Sequence, residues 1–111
     1  MKRTLENINY EQSTEDLALF AKALSHPTRI AILKFLENQS CSCTGDLMEV
    51  LPLAQSTISQ HIKELKKAGL IEGELNPPKI NYTINQKNWS KAKKLFEDLF
   101  AIKKKCKTNQ C

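Results

Sequence analysis

The chain has 111 residues, 41% of them hydrophobic and 26% charged, which fits one compact domain and excludes a disordered chain or a collagen-like fibre. Its 17 Lys and Arg against 12 Asp and Glu give a formal net charge of +5, which favours polyanionic partners. No apolar run approaches the roughly 20 residues that span a bilayer, and no apolar signal core follows Met1, so we expect a cytoplasmic protein with no membrane partner.

Two helices are predicted after a polar N-terminal arm over residues 1–12. Ser13 or Thr14, ahead of the acidic Glu15, is a helix-start signal, and this helix must end before Pro27. Pro27 itself favours the first position of a second helix, which His26 caps and which reaches Asn38. The apolar positions at helical spacing are Leu17, Phe20, Ala21 and Leu24 in the first helix and Ile30, Leu33 and Leu36 in the second.

A helix-turn-helix is predicted next. A short amphipathic helix over residues 45–51 is joined by the tight turn 52–55 to a longer helix that ends at about Ala68. Gly69 is expected to stop this helix as a left-handed cap. The inward positions of the longer helix are Ile58, Ile62 and Leu65.

A wing and a last helix complete the predicted domain. Strand-like runs over residues 70–75 and 80–84 form a hairpin, and a helix over 86–105 follows. The apolar stripe of this helix is too broad for one small domain to cover, so we predict a homodimer through the first and last helices. The fold class is therefore mainly α with a small β-hairpin: a winged helix-turn-helix over residues 13–105, with a cysteine-containing tail over 106–111.

The outer face of the longer helix is the candidate DNA-reading surface. In helix-turn-helix proteins the N-terminal residues of the second helix contact bases, and Gln, Ser and Thr have suitable donors and acceptors. A polar face is by itself usually only solvated, but here the short helix, the hairpin and the positive charge agree with it. Lys79 at the wing tip is expected to touch phosphate, with an ordinary exposed turn as the equal alternative. The predicted DNA-contacting residues are Gln55, Ser56, Thr57, Ser59, Gln60, Lys63 and Lys79.

Four cysteines form the candidate metal site. In a chain without an export signal they are expected to be reduced thiols, and thiolates prefer soft, thiophilic ions. Cys41 and Cys43 lie in a predicted loop, where residues two apart can chelate one ion, whereas in a helix they would diverge. Chance thiols or buried small side chains are the alternative.

Several segments together carry a resemblance to a known family. They are LSHPTRI (24–30), DL (46–47), QSTISQHIKEL (55–65), AGLI (68–71) and the wing that follows. With these segments the chain resembles the ArsR/SmtB family of dimeric, winged-helix, metal-responsive transcriptional repressors over roughly residues 16–100. The resemblance implies a homodimer that occupies operator DNA overlapping its own promoter and leaves it when an inducer binds.

The resemblance also bears on the inducer. Arsenic and antimony sensors of the family carry a Cys-x-Cys pair directly ahead of this Asp-Leu, often with a third cysteine three residues later. Here Cys43 matches the first cysteine, Gly45 replaces the second and Met48 the third. Because trivalent arsenic takes three thiolates in the family, a third ligand is expected from the C-terminal end. The implied ligands are Cys41, Cys43 and either Cys106 or Cys111.

Other sensing modes and other classes of protein stay open. The inducer expected first is trivalent arsenic, as arsenite or methylarsenite, with no permanently bound cofactor. Cys43 and Cys106 also imitate the cysteine pair of reactive-sulfur sensors in the family, and cadmium or lead sensing by thiolates is a further alternative. The last helix has no histidine, which argues against a zinc site there, and His61 is expected to pack or face phosphate. No catalytic constellation supports an enzyme.

Overall fold

The computed structural model describes residues 8–38 and 43–103, which form five helices and one antiparallel hairpin. The predicted fold class, mainly α with a small hairpin in a winged helix-turn-helix, is confirmed. The elements in chain order are α1 (Gln12–Ala23), α2 (Pro27–Asn38), α3 (Thr44–Val50), α4 (Gln55–Lys67), β1 (Ile71–Asn76), β2 (Lys79–Ile84) and α5 (Gln86–Phe100).

Two sequence predictions need correction. The last helix was expected to reach residue 105, but α5 ends at Phe100. The N–H of Ile102 donates to the carbonyl of Leu99, three residues back instead of four, so the α-helical bonding pattern stops there. In α2 the residue buried completely is Ile32, whereas the predicted Ile30 is only half-buried. The reason is that α2 packs against both α4 and β2, so its buried face is wider than a single stripe.

The core lies where α2, α4 and the base of the hairpin meet. The inward positions predicted for α4 are confirmed, since all three are buried almost completely. Burial of each such aliphatic side chain contributes roughly 1.5–3 kcal/mol, which makes this face of α4 a large part of the stability. The largest fully buried side chains are Ile32, Leu47, Ile58, Ile62, Leu65 and Leu70.

The predicted left-handed stop at Gly69 is confirmed. Gly69 has φ 82°, its N–H donates to Lys66 O (2.9 Å), and the N–H of Leu70 donates to Leu65 O (3.1 Å). This pair of bonds is a Schellman motif, which satisfies carbonyls that the end of the helix would leave open. The motif turns the chain sharply from α4 into the wing.

The wing returns to the same point at the start of α5. The N–H of Asn85 donates to Leu70 O (2.9 Å), and the Asn85 side chain caps α5 by accepting from the N–H of Asn88 (3.0 Å). The side-chain amide of Asn88 then donates to Gly69 O (2.9 Å). The end of α4 and the beginning of α5 are therefore joined directly.

Apolar side chains stay uncovered on α1 and α5. Leu19 of α1 is 58% exposed, Phe100 of α5 is 75% exposed and Ile102 just beyond it is 73% exposed. Phe96 and Phe100 stack with ring centroids 5.9 Å apart. A patch of this kind on a small domain is typical of an interface. Within residues 8–38 and 43–103, no helix has both the length and the apolar character needed to span a bilayer.

The two helices that carry this patch are tied by an ion pair. Lys91 Nζ lies 2.8 Å from Asp16 Oδ2, and Gln12 also donates to the Asp16 carboxylate (2.9 Å). These hydrogen bonds, the one from Lys91 first, lower the pKa of Asp16. The ion pair therefore ties α1 to α5, the two helices that carry the exposed apolar side chains.

We expect Gly69→Ala to lower the free energy of unfolding by at least about 1–2 kcal/mol, because a side chain is strained at positive φ. An added Cβ would also lie 2.7 Å from the Asn88 side-chain nitrogen. Urea denaturation of both proteins measures the difference. Gly45→Ala is the matched control: its nearest neighbour would be Cys43 Sγ at 3.7 Å, and alanine favours the helix there, so stability should be unchanged or slightly higher. Equal losses in the two variants would contradict the argument.

Candidate nucleic-acid interface

The polar face of α4 is presented to solvent, as the helical period requires. The first-turn residues Gln55, Ser56 and Thr57 and the next-turn residues Ser59, Gln60 and Lys63 are all exposed, while the opposite face is buried. Only residues 51–54 separate α3 from α4, and the two helices pack together. The six helical residues predicted to read DNA therefore share one continuous open surface.

The start of α4 is suited to an anionic partner. Its N-cap residue is Ala54, which has no side chain to bond the free N–H groups of the first turn. Those groups, together with the helix dipole, favour a negatively charged oxygen at this end. A DNA phosphate is such a group.

Behind this surface, α4 is held to α2 by a polar cluster. Arg29 Nε donates to His61 Nδ1 (3.2 Å), and the same guanidinium donates to Lys22 O (3.3 Å) and Ala23 O (3.4 Å) at the end of α1. The ring of His26 lies against His61 with centroids 4.4 Å apart. One arginine thus connects the last turn of α1, the start of α2 and the middle of the DNA-reading helix.

The two histidines of this cluster have separate duties. His26 caps α2, as predicted, because its Nδ1 accepts from the N–H of Thr28 (3.0 Å). Burial first, and then the electrostatic effect of the neighbouring His26 and Arg29 side chains, lowers the pKa of His61. His61 is therefore kept neutral, and its Nδ1 can accept from Arg29. This makes His61 a packing residue of α4, one of the two roles the sequence left open.

The wing is fixed beside α4 and has one cation. Lys66 Nζ lies 5.9 Å from the centroid of the Tyr82 ring, which joins α4 to β2. Lys79 is the first residue of β2, opposite Asn76 in the hairpin, and is exposed. It is the only Lys or Arg between residues 71 and 84. Lys79 is therefore placed at the tip, where the sequence located it.

Cys43 is not a free loop residue but the N-cap of α3. The Cys43 N–H donates to Asp46 Oδ2 (3.0 Å), and the Cys43 thiol lies 3.5 Å from the same oxygen. These bonds, the backbone one first, lower the pKa of Asp46. Only 7% of Cys43 is exposed. Cys43 therefore lies just before the short helix, as predicted, with extended backbone (φ −98°, ψ 172°), and it also caps that helix.

A cleft of about 470 Å³ joins the cysteine to the DNA-reading surface. Cys43 and Asp46 line it from α3, Ser59 from α4, and Lys79 and Tyr82 from the wing. The cleft therefore brings together one predicted metal ligand and residues predicted to contact DNA. A group bound to the Cys43 sulfur would sit between the reading helix and the wing.

The other three predicted ligands are outside the described residues. Cys41, Cys106 and Cys111 fall at positions 39–42 and 104–111, so their distances to Cys43 are not defined. Among the residues that the structure does describe, no group of three or more His, Cys, Asp or Glu is arranged to hold a metal ion. The three-thiolate site stays a prediction.

Three residues of this region had no predicted role. Asp46 was detectable, because an N-cap followed three residues later by an acid is the spacing of a capping box. Arg29 bonds a residue 32 positions away and Asn88 one 19 positions away, so no local pattern announces either contact. Their positions in the fold had to be seen.

Comparisons with known sequences identify the type of protein. Residues 26–73 match the family described as "Bacterial regulatory protein, arsR family". The chain is 34% identical over 74 residues to the HTH-type transcriptional regulator YgaV of Escherichia coli, covering 67% of this chain and 75% of the relative. It is 35% identical over 74 residues to the arsenical resistance operon repressor of Staphylococcus xylosus, covering 66% and 69%.

Solved structures agree in fold. An ArsR-like transcriptional regulator from Rhodococcus sp. RHA1 superposes with a TM-score of 0.71 at 26% identity, covering 82% of this chain and 85% of that one. The transcriptional regulator HlyU from Vibrio vulnificus superposes with a TM-score of 0.62 at 29% identity, covering 81% and 93%. These relatives are regulators of transcription.

We expect mild acid to loosen the protein through His61. The folded pKa of His61 is lower than the unfolded value of about 6.5. Stability is therefore complete above the unfolded pKa and falls as the pH drops from there through the folded pKa. Denaturant titrations from about pH 7.5 to pH 5 should show this loss, and His61→Gln, which keeps an acceptor but does not titrate, should show less of it. An identical pH profile for both proteins would contradict the assignment; Asp16 and Asp46 titrate only in stronger acid.

Proposed function

The chain belongs to the ArsR family of bacterial regulatory proteins, and on this premise we propose that it is a homodimeric repressor that leaves its operator when trivalent arsenic binds its cysteine thiolates. The observation that carries the proposal is the place of Cys43, at the first residue of the helix-turn-helix and on the cleft beside the DNA-reading helix. We propose that residues 13–105 form the DNA-binding and dimerisation domain, with 106–111 as a ligand-bearing tail, and that the protein acts in the cytoplasm on chromosomal DNA.

Operator binding is proposed to use the exposed face of α4. Side chains of Gln55, Ser56, Thr57, Ser59 and Gln60 supply amide and hydroxyl groups for base edges and phosphates. Lys63 on the same helix and Lys79 on the wing supply charge for the backbone. The uncapped start of α4 adds N–H donors for a phosphate. The arrangement fits a helix in the major groove with the wing beside it.

The second subunit is proposed to cover the apolar surface on α1 and α5. Phe100 and Ile102 are three-quarters exposed at the end of α5, and Leu19 is more than half exposed on α1. The ion pair between Lys91 and Asp16 ties α5 to α1, so the exposed side chains of both helices can belong to one interface. A two-fold axis through this surface would present two copies of α4 to successive turns of DNA.

Induction is proposed to act on the cap of α3. In the free protein the Cys43 thiol lies against Asp46, whose carboxylate also accepts the N–H that begins the helix. When arsenite binds, each As–S bond that forms replaces one As–OH bond, and the hydroxide leaves with the thiol proton as water. The Cys43 S–H is thereby lost, further cysteines are brought in, and the contact with Asp46 is broken. The first turn of α3 then rearranges, and with it the packing of α3 on α4. Cys41 and either Cys106 or Cys111 are the proposed partners of Cys43.

A reactive-sulfur sensor is the second candidate. Cys43 is buried beside the Asp46 carboxylate, and Cys43 and Cys106 imitate the cysteine pair of reactive-sulfur sensors in the family, which suits a pairwise sulfur bridge. Bridging would need an oxidant or persulfide to take up two electrons and two thiol protons. Cadmium or lead bound by thiolates is the remaining alternative. The choice of inducer separates these candidates.

We expect Lys63→Ala to weaken binding to a duplex from the gene's own promoter and to reduce the slope of log affinity against log salt by about 1, because one phosphate contact is lost. Fluorescence anisotropy at several salt concentrations measures both quantities. Lys94→Ala is the matched control, since Lys94 is an exposed lysine of α5 that pairs with Asp98 at 3.1 Å. Equal effects of the two variants would contradict the α4 surface, and saturation with one chain per duplex would contradict the dimer.

We expect Cys43→Ser to keep full DNA affinity, because serine caps a helix as well as cysteine does. Since serine does not bind arsenic, the arsenite concentration needed to release the variant from DNA should rise at least about tenfold. Trp89, the only tryptophan, lies on a cleft of about 520 Å³ at the end of α2 and gives a second readout by its fluorescence. Met48→Ala, at the position of the family's third cysteine, is the control and should respond normally.

Arsenite, cadmium, lead and a persulfide donor are titrated separately in reducing or anaerobic buffer. Release by the persulfide alone would favour the second candidate over the first. Unchanged release of Cys43→Ser by every inducer would overturn the sensing proposal, and no binding of any promoter duplex would overturn the repressor itself.

A further inference from the structure

We infer that Asn88 is a positioning residue that sets the tilt of α4 against α5 and thereby decides which spacing of operator half-sites the dimer accepts. The inference rests on the proposed function, since it concerns how a dimer meets two half-sites. Its origin is the hydrogen bond in which Asn88 Nδ2 donates to Gly69 O over 2.9 Å. That bond joins the first helix turn of α5 to the residue just past α4.

The contact is built on a backbone position that admits only glycine. Gly69 has φ 82°, and a Cβ placed there would lie 2.7 Å from Asn88 Nδ2. The amide of Asn88 therefore occupies the space that any other residue at position 69 would fill. So close an approach leaves the end of α4 little freedom to move relative to α5.

Asn88 is in turn fixed by the start of its own helix. Its N–H donates to the side chain of Asn85 (3.0 Å), and the N–H of Asn85 donates to Leu70 O (2.9 Å). These bonds close the base of the wing and aim the Asn88 side chain back at Gly69. The amide is thus part of a closed ring of bonds, and its direction is determined before DNA arrives.

The bond from Asn88 comes from a different helix than the other side-chain bond that holds α4. Arg29 fixes the middle of α4 through His61, but Arg29 stands on α2. Within residues 8–38 and 43–103, Asn88 provides the side-chain hydrogen bond that runs to the end of α4 from α5, the helix that carries the exposed apolar surface. A dimer that forms on α5 therefore sets the direction of α4 through this amide.

A small tilt at this point is large at the DNA. The 13 residues of α4 span about 20 Å at 1.5 Å per residue. A rotation of about 10° about the Gly69 end moves the N-terminal, base-reading end by about 3 Å, close to the 3.4 Å rise of one base pair. Two such helices in a dimer double the change in separation. Loss of the Asn88 bond should therefore blur the preferred half-site spacing by about one to two base pairs.

The test uses the full chain and duplexes selected from a randomised pool by the wild-type protein. Anisotropy is measured on the selected palindrome, on versions with one base pair inserted or deleted between half-sites, and on a single half-site. We expect the wild type to prefer its own spacing by roughly tenfold and Asn88→Asp, which keeps the shape but loses both amide donors, to prefer it by less than about threefold. Half-site affinity should be the same for both proteins.

Gln86→Ala is the matched control, because it changes an exposed side chain in the same first turn of α5 and leaves the bonds of Asn85 and Asn88 in place. It should keep the wild-type spacing preference, and Asn88→Ala should repeat the result of Asn88→Asp. An unchanged preference in both Asn88 variants, or an equal loss in Gln86→Ala, would overturn the inference alone. If the wild type selected no duplex, the proposed function would fall and the inference with it.

Discussion

The burial of one face of α4 is the constraint on which the rest of the structure depends. Its three inward side chains fill the space between α2 and the base of the hairpin, and every other surface of the helix is thereby turned outward. A helix that is half core and half reading surface cannot rotate about its axis without exposing apolar area. The exposed polar side chains of α4, which are the candidate DNA contacts, are held in place by hydrophobic packing on the opposite face of the helix.

Around that packed face, short polar contacts set the remaining freedom of the helix. Arg29 holds its middle from α2, Asn88 holds its end from α5, and Lys66 holds the wing beside it. The partners of α4 in these contacts belong to three different elements, α2, α5 and β2. Movement of any one of these elements would therefore change the position of α4. The cap of α3 by Cys43 and Asp46 is a fourth such contact and the one that carries a reactive atom. The thiol of Cys43 and the exposed face of α4 are thus neighbours in space, linked by the packing of α3 on α4.

The sequence predicts much of this fold, and most of what it misses depends on contacts between residues far apart in the chain. The period of α4, the stop at Gly69 and the cap by His26 follow from local rules, because each depends on residues within a turn of one another. The bonds of Arg29 and Asn88 join residues far apart in the chain, so only the fold reveals them. The contact between Cys43 and Asp46 is local and was missed all the same, because the pair with Cys41 was considered without the spacing to Asp46. The exposed apolar side chains on α1 and α5 agree with the broad stripe that the sequence predicts there.

The cap of α3 places few demands on the side chain at position 43. A cap needs a small polar side chain at that position, and serine, threonine, aspartate and asparagine all satisfy it. A single codon change can therefore add or remove the thiol while the reader beneath it folds as before. The capping position fixes only the size and polarity of its side chain, so the thiol of Cys43 is a chemical feature that the fold beneath it does not require.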